Sequence, residues 1–246
     1  MTPKEFSSQF DILYDNITSG KAPGLNDYEK SVFLTKAQDQ LIKNYFTPLG
    51  NKYQEGHSDS HKRTIDFSNI TKSENAITGI IGTGTTYRDT MIYERPTDIL
   101  IPRGFVLRND SNKELQVVSV TEEELTRLFS KPYKQPYKGQ AYKLEESTSD
   151  KVYQIIVGKA HINAGFKLYV RYVKVPKPII LMDIEAFEYE MGLEENTLSI
   201  NGTRTISECE LDPVTHNEIL DRAVNIAKIH YEGNPEGIIQ YSTLNE

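Results

Sequence analysis

Two stretches of sequence decide the fold: residues 22–46, APGLNDYEKSVFLTKAQDQLIKNYF, and residues 210–231, ELDPVTHNEILDRAVNIAKIHY. In both, apolar residues recur at spacings of three and four, which is the pattern of a helix that buries one face. Asn26 and Glu29 form a capping box at the start of the first helix, and Asp212 caps the second. Isolated helices of this length are marginal in water, so we expect these distant segments to pack together.

A further helix is predicted at the beginning of the chain. Thr2 and Glu5 form another capping box, and the proline between them suits the first helical position. The apolar side chains that follow lie on one narrow stripe. They are Phe6, Phe10, Leu13, Tyr14 and Ile17. The pattern predicts a helix with one buried face.

The long middle segment, residues 65–206, has the pattern of β-strands. The clearest strands are predicted at 151–157 and 166–175, where apolar residues alternate with polar ones. Two further strands are expected at 98–108 and 114–120.

Several shorter signals lie within this segment. Asn201-Gly202 between β-prone runs predicts a hairpin with a type I′ turn. A short helix is predicted where Thr121 begins the run TEEELTRLF. Residues 131–143, KPYKQPYKGQAYK, interleave lysine with tyrosine and are the first candidate for a local basic patch that binds nucleic acid, but a solvated loop is the favoured interpretation. The acidic run 183–195 is interpreted as a solvated or interfacial face.

The sequence therefore predicts an α+β protein of distinct parts. A small helical bundle is expected from the N- and C-terminal helices, residues 1–50 and 208–233. A large β-rich insertion, sandwich- or barrel-like, is expected over residues 65–206. Residues 234–246 form a C-terminal tail.

Composition excludes several classes of protein. The chain has 246 residues, a net charge of −7 and a pI near 5.4, a poor electrostatic match for wrapping nucleic acid. It lacks an apolar run of the length that spans a bilayer, and MTPKEF is no signal peptide, so we expect no membrane partner and no secretion. The lone Cys209 rules out an intramolecular disulfide and fits a reducing compartment.

No catalytic, metal or cofactor site is predicted. His57 and His61 have the spacing of zinc ligands, but their flanks are those of a loop and no third ligand is near. Residues 79–88, GIIGTGTTYR, lack the third glycine of a dinucleotide fingerprint and the lysine of a P-loop. Cys209 lies in no hydrolase motif, and the carboxylates of residues 183–195 show no cleft in which to act as acid and base.

The two ends of the chain resemble a known family. The segment F-x3-F-x2-LY-x-NI from Phe6 to Ile17, the stretch 22–46 and the stretch 209–231 look like the head-to-tail connector (adaptor or ring) proteins of crAss-like bacteriophages. More distantly, the layout is similar to the tail tubular adaptor proteins of short-tailed phages. The resemblance covers about a third of the chain and carries no catalytic residue.

The resemblance implies a virion structural protein rather than an enzyme. Such proteins form closed rings, typically of twelve copies, beneath the portal, where they connect capsid to tail and extend the DNA conduit. The implied partners are further copies of this chain, the portal protein and other connector or tail proteins, with genomic DNA passing through without sequence-specific binding. The implied location is the head-tail connector of the virion, with the host cytoplasm as the site of assembly.

Six residues are interface candidates: Tyr28, Ile42, Phe46, Ile238, Ile239 and Tyr241. The first three widen the apolar face of the second helix beyond what one neighbour would cover. The last three are apolar in a tail with no evident core to join. Two alternatives stay open: a carbohydrate- or receptor-binding tail component, suggested by the tyrosine-rich β-segment, and an enzyme with an unrecognised site, for which His57 or Asp183 would be tested.

Overall fold

The computed structural model divides into two compact units. The helical unit comprises residues 1–70 and 176–246, and the barrel unit comprises Thr71–Val175. The described residues are 1–18, 24–46, 66–82, 89–130, 136, 139–144, 151–159, 161–162, 164–194 and 196–232, without the side chains of 16–18, 46, 74–76 and 232.

Within these ranges the chain forms five α-helices and seven strands. The helices are α1 (Pro3–Thr18), α2 (Asp27–Phe46), α3 (Glu122–Phe129), α4 (Ile184–Met191) and α5 (His216–Glu232). The strands are β1 (Thr71–Ile81), β2 (Thr90–Glu94), β3 (Ile99–Arg108), β4 (Glu114–Val120), β5 (Gln140–Leu144), β6 (Val152–Ile156) and β7 (Lys167–Lys174).

The predicted helix starts are confirmed. The Thr2 hydroxyl accepts from the Glu5 backbone N–H, and the Glu5 carboxylate accepts from the Thr2 N–H. Asn26 and Glu29 exchange the same two bonds at the start of α2. Asp212 caps one 3₁₀ turn, Pro213–Thr215, which leads directly into α5. Each cap satisfies backbone N–H groups that the first turn of a helix leaves unpaired.

Contacts in the helical unit join α5 to both other terminal helices. The Phe6 ring of α1 lies 5.3 Å from the His216 ring of α5. The Phe33 ring of α2 lies 6.3 Å from Tyr231, edge to face. Further buried apolar residues of α2 and α5 are Leu34, Ala37, Leu41, Ile219, Leu220, Ala223, Val224 and Ala227. The apolar stripes read from the sequence are therefore the buried faces.

A ladder of polar side chains on α2 holds an extended segment, residues 177–181. The Ser31 hydroxyl accepts from the Leu181 N–H, Thr35 bonds the Ile179 backbone, and Gln38 donates to the Lys177 carbonyl. Four helical residues and two extended residues both advance about 6 Å, so one face of α2 matches alternate residues of the segment. These buried polar residues therefore replace the ladder bonds of a second strand.

The acidic run was interpreted without a helix, and that part of the interpretation is wrong. Residues 184–191 form α4, with Asp183 as N-cap and Gly192 in the left-handed region (φ 66°) as C-cap. The predicted hairpin next to it is confirmed: Ile200 and Thr203 exchange both backbone bonds. Asn201 and Gly202 have φ of 48° and 75°, as a type I′ turn requires.

The barrel unit is a closed seven-stranded barrel in the order β1-β2-β6-β5-β4-β3-β7. Neighbouring strands are antiparallel except β4 and β5, which are parallel because α3 forms the crossover between them. The predicted strands at 98–108, 114–120, 151–157 and 166–175 correspond to β3, β4, β6 and β7.

Alternate side chains of the strands fill the barrel interior. Tyr93 of β2 is fully buried, and its hydroxyl donates to the Phe166 carbonyl at 3.0 Å. Gly79 of β1 lies opposite Tyr93, and a Cβ there would come within 2.5 Å of the Tyr93 ring. The missing side chain therefore makes room for the ring.

The outer side of the barrel is covered where α3 crosses it. Leu125 of α3 packs with Val120, Tyr142, Leu144 and Ile156 in a separate apolar cluster. The loop predicted over residues 131–143 is therefore wrong at its end, since β5 is buried on both faces.

Lys143 shows the reason for that difference. It points into the barrel, where its Nζ lies 4.9 Å from the centre of the Phe105 ring. The second ring it faces, Tyr153, is 5.8 Å away. Attraction between the ammonium group and the two aromatic rings offsets the cost of burying the cation. The spacing of residues in the sequence does not show that these rings surround Lys143.

The division of the chain differs from the expected boundaries. The insertion was placed at residues 65–206, whereas the barrel unit ends at Val175. Residues 176–207 pack on α2 through the ladder and through α4, so they are part of the helical unit. Among the described residues, no helix combines the length and the apolar character needed to cross a membrane.

Candidate assembly surfaces

Helix α4 is fixed on α2 by one of its faces. The Phe187 ring stacks on Tyr28, with ring centres 6.0 Å apart and planes 13° apart. Ile184 joins a buried cluster with Ile180 and Ile200. The C-terminal end of α4 is closed in the manner of a Schellman motif: the backbone N–H groups of the two residues after Met191 donate to carbonyls of the last helical turn.

A buried carboxylate ties the following loop to the same helix. Glu188 is 3% exposed, and its oxygens accept from the backbone N–H groups of Asn196 and Leu198. Arg204 donates to the same carboxylate and also to the Asn196 side chain. The salt bridge is thus supported by hydrogen bonds on both partners, as a buried ion pair needs. This network makes the outer surface of α4 a fixed platform.

The outer surface of this platform combines large apolar side chains with carboxylates. Tyr189 is 88% exposed, Met191 61% and Leu193 43%. We call this surface the α4 face and define it by Glu185, Ala186, Tyr189, Glu190, Met191 and Leu193, all of which are exposed. An exposed tyrosine among apolar neighbours is typical of contact sites between proteins.

Charge is divided unequally between the two units. The helical unit has 23 Asp and Glu against 12 Lys and Arg, whereas the barrel unit has 12 against 16. The whole chain therefore has a net negative charge, whereas the barrel unit by itself has a net positive charge. Such an asymmetry indicates surfaces that attract oppositely charged partners.

The outward side chains of β3 and β7 form a second surface, which we call the β3–β7 face. It consists of Val106, Arg108, Lys167, Tyr169 and Arg171, with Arg108 stacked 5.3 Å from the Tyr169 ring centre. Lys167 pairs with Asp110 at 2.9 Å, and Arg108 pairs with Glu114. Arg171 is exposed between two uncharged cross-strand neighbours, Ser73 and Gly104, and has no ion pair with a described residue.

The structure describes the side chains of two of the six predicted interface residues. Tyr28 is half-buried beneath α4, in its stack with Phe187. Ile42 is 1% exposed, inside the helical unit. The side chain of Phe46 lies outside the described residues, as do the three candidates in the tail, Ile238, Ile239 and Tyr241. An interface role for these six residues stays a prediction.

The residues considered for chemistry are also accounted for. His57 and His61 lie outside the described residues. No group of three His, Cys, Asp or Glu in the described part of the chain is arranged to hold a metal ion. Burial raises the pKa of the Cys209 thiol to about 11, and its Sγ donates to Gln38 at 3.4 Å. A thiol in that state is a poor nucleophile.

The sequence indicated the α4 face only in part. The acidic run was recognised as a solvated or interfacial surface, but the helix within it was missed. Its local signals were Asp183 and Gly192, which are a favourable N-cap and C-cap nine residues apart. The outward position of Tyr189 could not be predicted, because it depends on Phe187 and Glu188 facing α2 and the loop.

Comparison with known proteins shows the family to which this chain belongs. The profile of a family described as "Phage tail ring protein 3/4" matches residues 1–236. The chain therefore belongs to the phage tail ring protein 3/4 family.

Two relatives come from Bacteroides phage crAss001. The chain is 39% identical over 248 residues to its "Ring protein 4/5", covering all of both chains. It is 31% identical over 246 residues to its "Ring protein 3", covering 96% of this chain and all of the relative. The likeness thus includes the barrel unit as well as the helical ends.

Proposed function

We propose that this chain is a virion structural protein that forms a closed ring beneath the portal, connects capsid to tail and extends the DNA conduit. A ring of twelve copies is proposed, with the terminal helices packed as a bundle. The portal protein and other connector or tail proteins are its partners. In this role the protein performs no catalysis.

The observation that carries the proposal is the full-length likeness to two ring proteins of one phage. Because both units are matched, what those proteins do as whole chains is the best guide to this one. Two surfaces of different chemistry on one chain also suit a ring. Head-to-tail contacts close by rotation and need two unlike surfaces on every subunit.

Electron microscopy of the purified protein, alone and mixed with its portal, tests the proposal. We expect closed rings, coaxial with the portal, in the mixture. A protein that stays monomeric and does not bind the portal would contradict the proposal. Binding of the purified protein to glycans, with no ring, would instead favour a receptor-binding tail component.

A further inference from the structure

We propose that the α4 face of one copy docks on the β3–β7 face of the next copy, and that this contact joins subunits of the ring. The inference rests on the proposed function, because it assigns the two surfaces that a ring contact requires. It goes further by naming the residues on each side.

The α4 face has the composition of a contact site with a positively charged partner. Tyr189 offers a large ring that the chain itself leaves 88% exposed. Glu185 and Glu190 flank it, and both are exposed. Buried aromatic anchors supply most of the binding energy of protein interfaces, while charges at the rim select the partner and speed encounter.

The β3–β7 face complements it in charge and in apolar character. Val106 and Tyr169 lie directly opposite each other on neighbouring strands and provide an apolar surface. Arg171 stands beside them with uncharged cross-strand neighbours and forms no ion pair within the described part of the chain, so we expect it to meet a carboxylate from another copy. Guanidinium groups pair with carboxylates through two parallel hydrogen bonds, which fixes orientation as well as charge.

The occupant is a second copy because the two complementary surfaces belong to the same chain. The unit that bears the α4 face has an excess of acidic residues, and the barrel unit has an excess of basic residues. Two β3–β7 faces would bring Arg171 no carboxylate, because Arg108 and Lys167 are already paired with Glu114 and Asp110. The unlike pairing brings Arg171 to the exposed Glu190, and unlike pairing is what a head-to-tail ring uses.

Cysteine cross-linking tests the pairing. Ala186→Cys on the α4 face and Ser73→Cys, the cross-strand neighbour of Arg171, leave the proposed contact residues in place. They are made separately in a Cys209→Ser background, mixed, assembled with the portal and treated with a short bis-maleimide. We expect cross-linked dimers from the mixture and none from either variant alone. A matched control pairs Ala186→Cys with Asp221→Cys, an exposed site on α5, and we expect it to give no dimer.

A charge exchange provides a second readout. Glu190→Lys should reduce ring formation, and adding Arg171→Glu should restore it, with melting temperatures unchanged because both sites are exposed. Tyr189→Ala should weaken subunit association by about 30-fold, the size of a typical hot-spot loss.

The outcomes separate this inference from the proposed function. Rings that form without the mixed cross-link, or a cross-link from Ala186→Cys to the portal, overturn the inference and leave the ring proposal standing. Failure of the wild-type chain to form a ring with its portal overturns both. Mixed cross-links together with rescue by the charge exchange support the inference.

Discussion

Replacing Gly79 by alanine should destabilise the barrel unit strongly. The new Cβ would lie 2.5 Å, 2.7 Å and 3.0 Å from three ring carbons of Tyr93. Those distances are far inside van der Waals contact, so the ring or the strand must move. The Tyr93 ring has no free space, because it is fully buried and its hydroxyl is bonded to the Phe166 carbonyl.

The expected cost follows from two effects. Overpacking a well-filled core costs about 1–3 kcal/mol. Loss of the buried hydroxyl bond adds about 1–3 kcal/mol if the ring is displaced. Since the two effects overlap, we expect Gly79→Ala to lower the free energy of unfolding by about 2–4 kcal/mol. For a barrel of this size the melting temperature should fall by roughly 10–20 °C.

Gly104→Ala is the matched control. Nothing lies within 4 Å of a Cβ at Gly104, so alanine there should change stability by less than about 1 kcal/mol. The measurement is urea unfolding of both variants, with amide hydrogen exchange to localise the loss to the barrel strands. Equal stability of the two variants would refute the packing argument, as would loss of protection in α2 and α5 with the barrel unaffected.

Three further predictions concern the helical unit. Glu188→Ala should lower the free energy of unfolding by about 2–4 kcal/mol, because it removes the acceptor of two backbone N–H groups and the buried carboxylate partner of Arg204. Burial lowers the pKa of His216 below its usual value of 6.5, so the unfolded chain binds the proton more tightly. Stability should therefore be greatest above pH 6.5 and fall as the pH drops through that value towards the folded pKa. Because the pKa of Cys209 is raised to about 11, its alkylation at pH 8 should be on the order of a hundredfold slower in the native chain than in urea.

Each of these has a control. Glu185→Ala removes only an exposed partner of Arg204, 3.5 Å away, and should cost less than about 1 kcal/mol. If it costs as much as Glu188→Ala in urea unfolding, burial of the carboxylate is not the cause. A His216→Gln chain should have a flatter melting temperature between pH 7.5 and 5.5, and an unchanged slope would contradict the assignment. Equal alkylation rates of Cys209 with and without urea, followed by mass spectrometry, would contradict its burial.

Helix caps and turns could be predicted from the sequence, because residues close to one another in the chain determine them. The boxes at Thr2 and Asn26 and the hairpin at Asn201-Gly202 depend on side chains no more than three positions apart, and all three are confirmed. The mixed α+β class was also confirmed, since helical and strand periods differ clearly.

Closure of the barrel could not be predicted. It depends on pairing β1 with β7, whose partner residues are about 90 to 100 positions apart in the sequence, and on the parallel pair β4 and β5. The sequence predicts a loop at β5 because Lys143 and its neighbours have the polar pattern of a solvated segment. The rings of Phe105 and Tyr153 that face the cation come from distant strands. The α4 face was missed for a similar reason: its exposure is decided by what Glu188 and Phe187 contact elsewhere in the unit.

Electron microscopy of this chain bound to its portal is the decisive measurement. We expect a closed ring, coaxial with the portal, in which α4 of each copy lies against β7 of the next. A chain that stays monomeric in the presence of the portal would contradict this expectation.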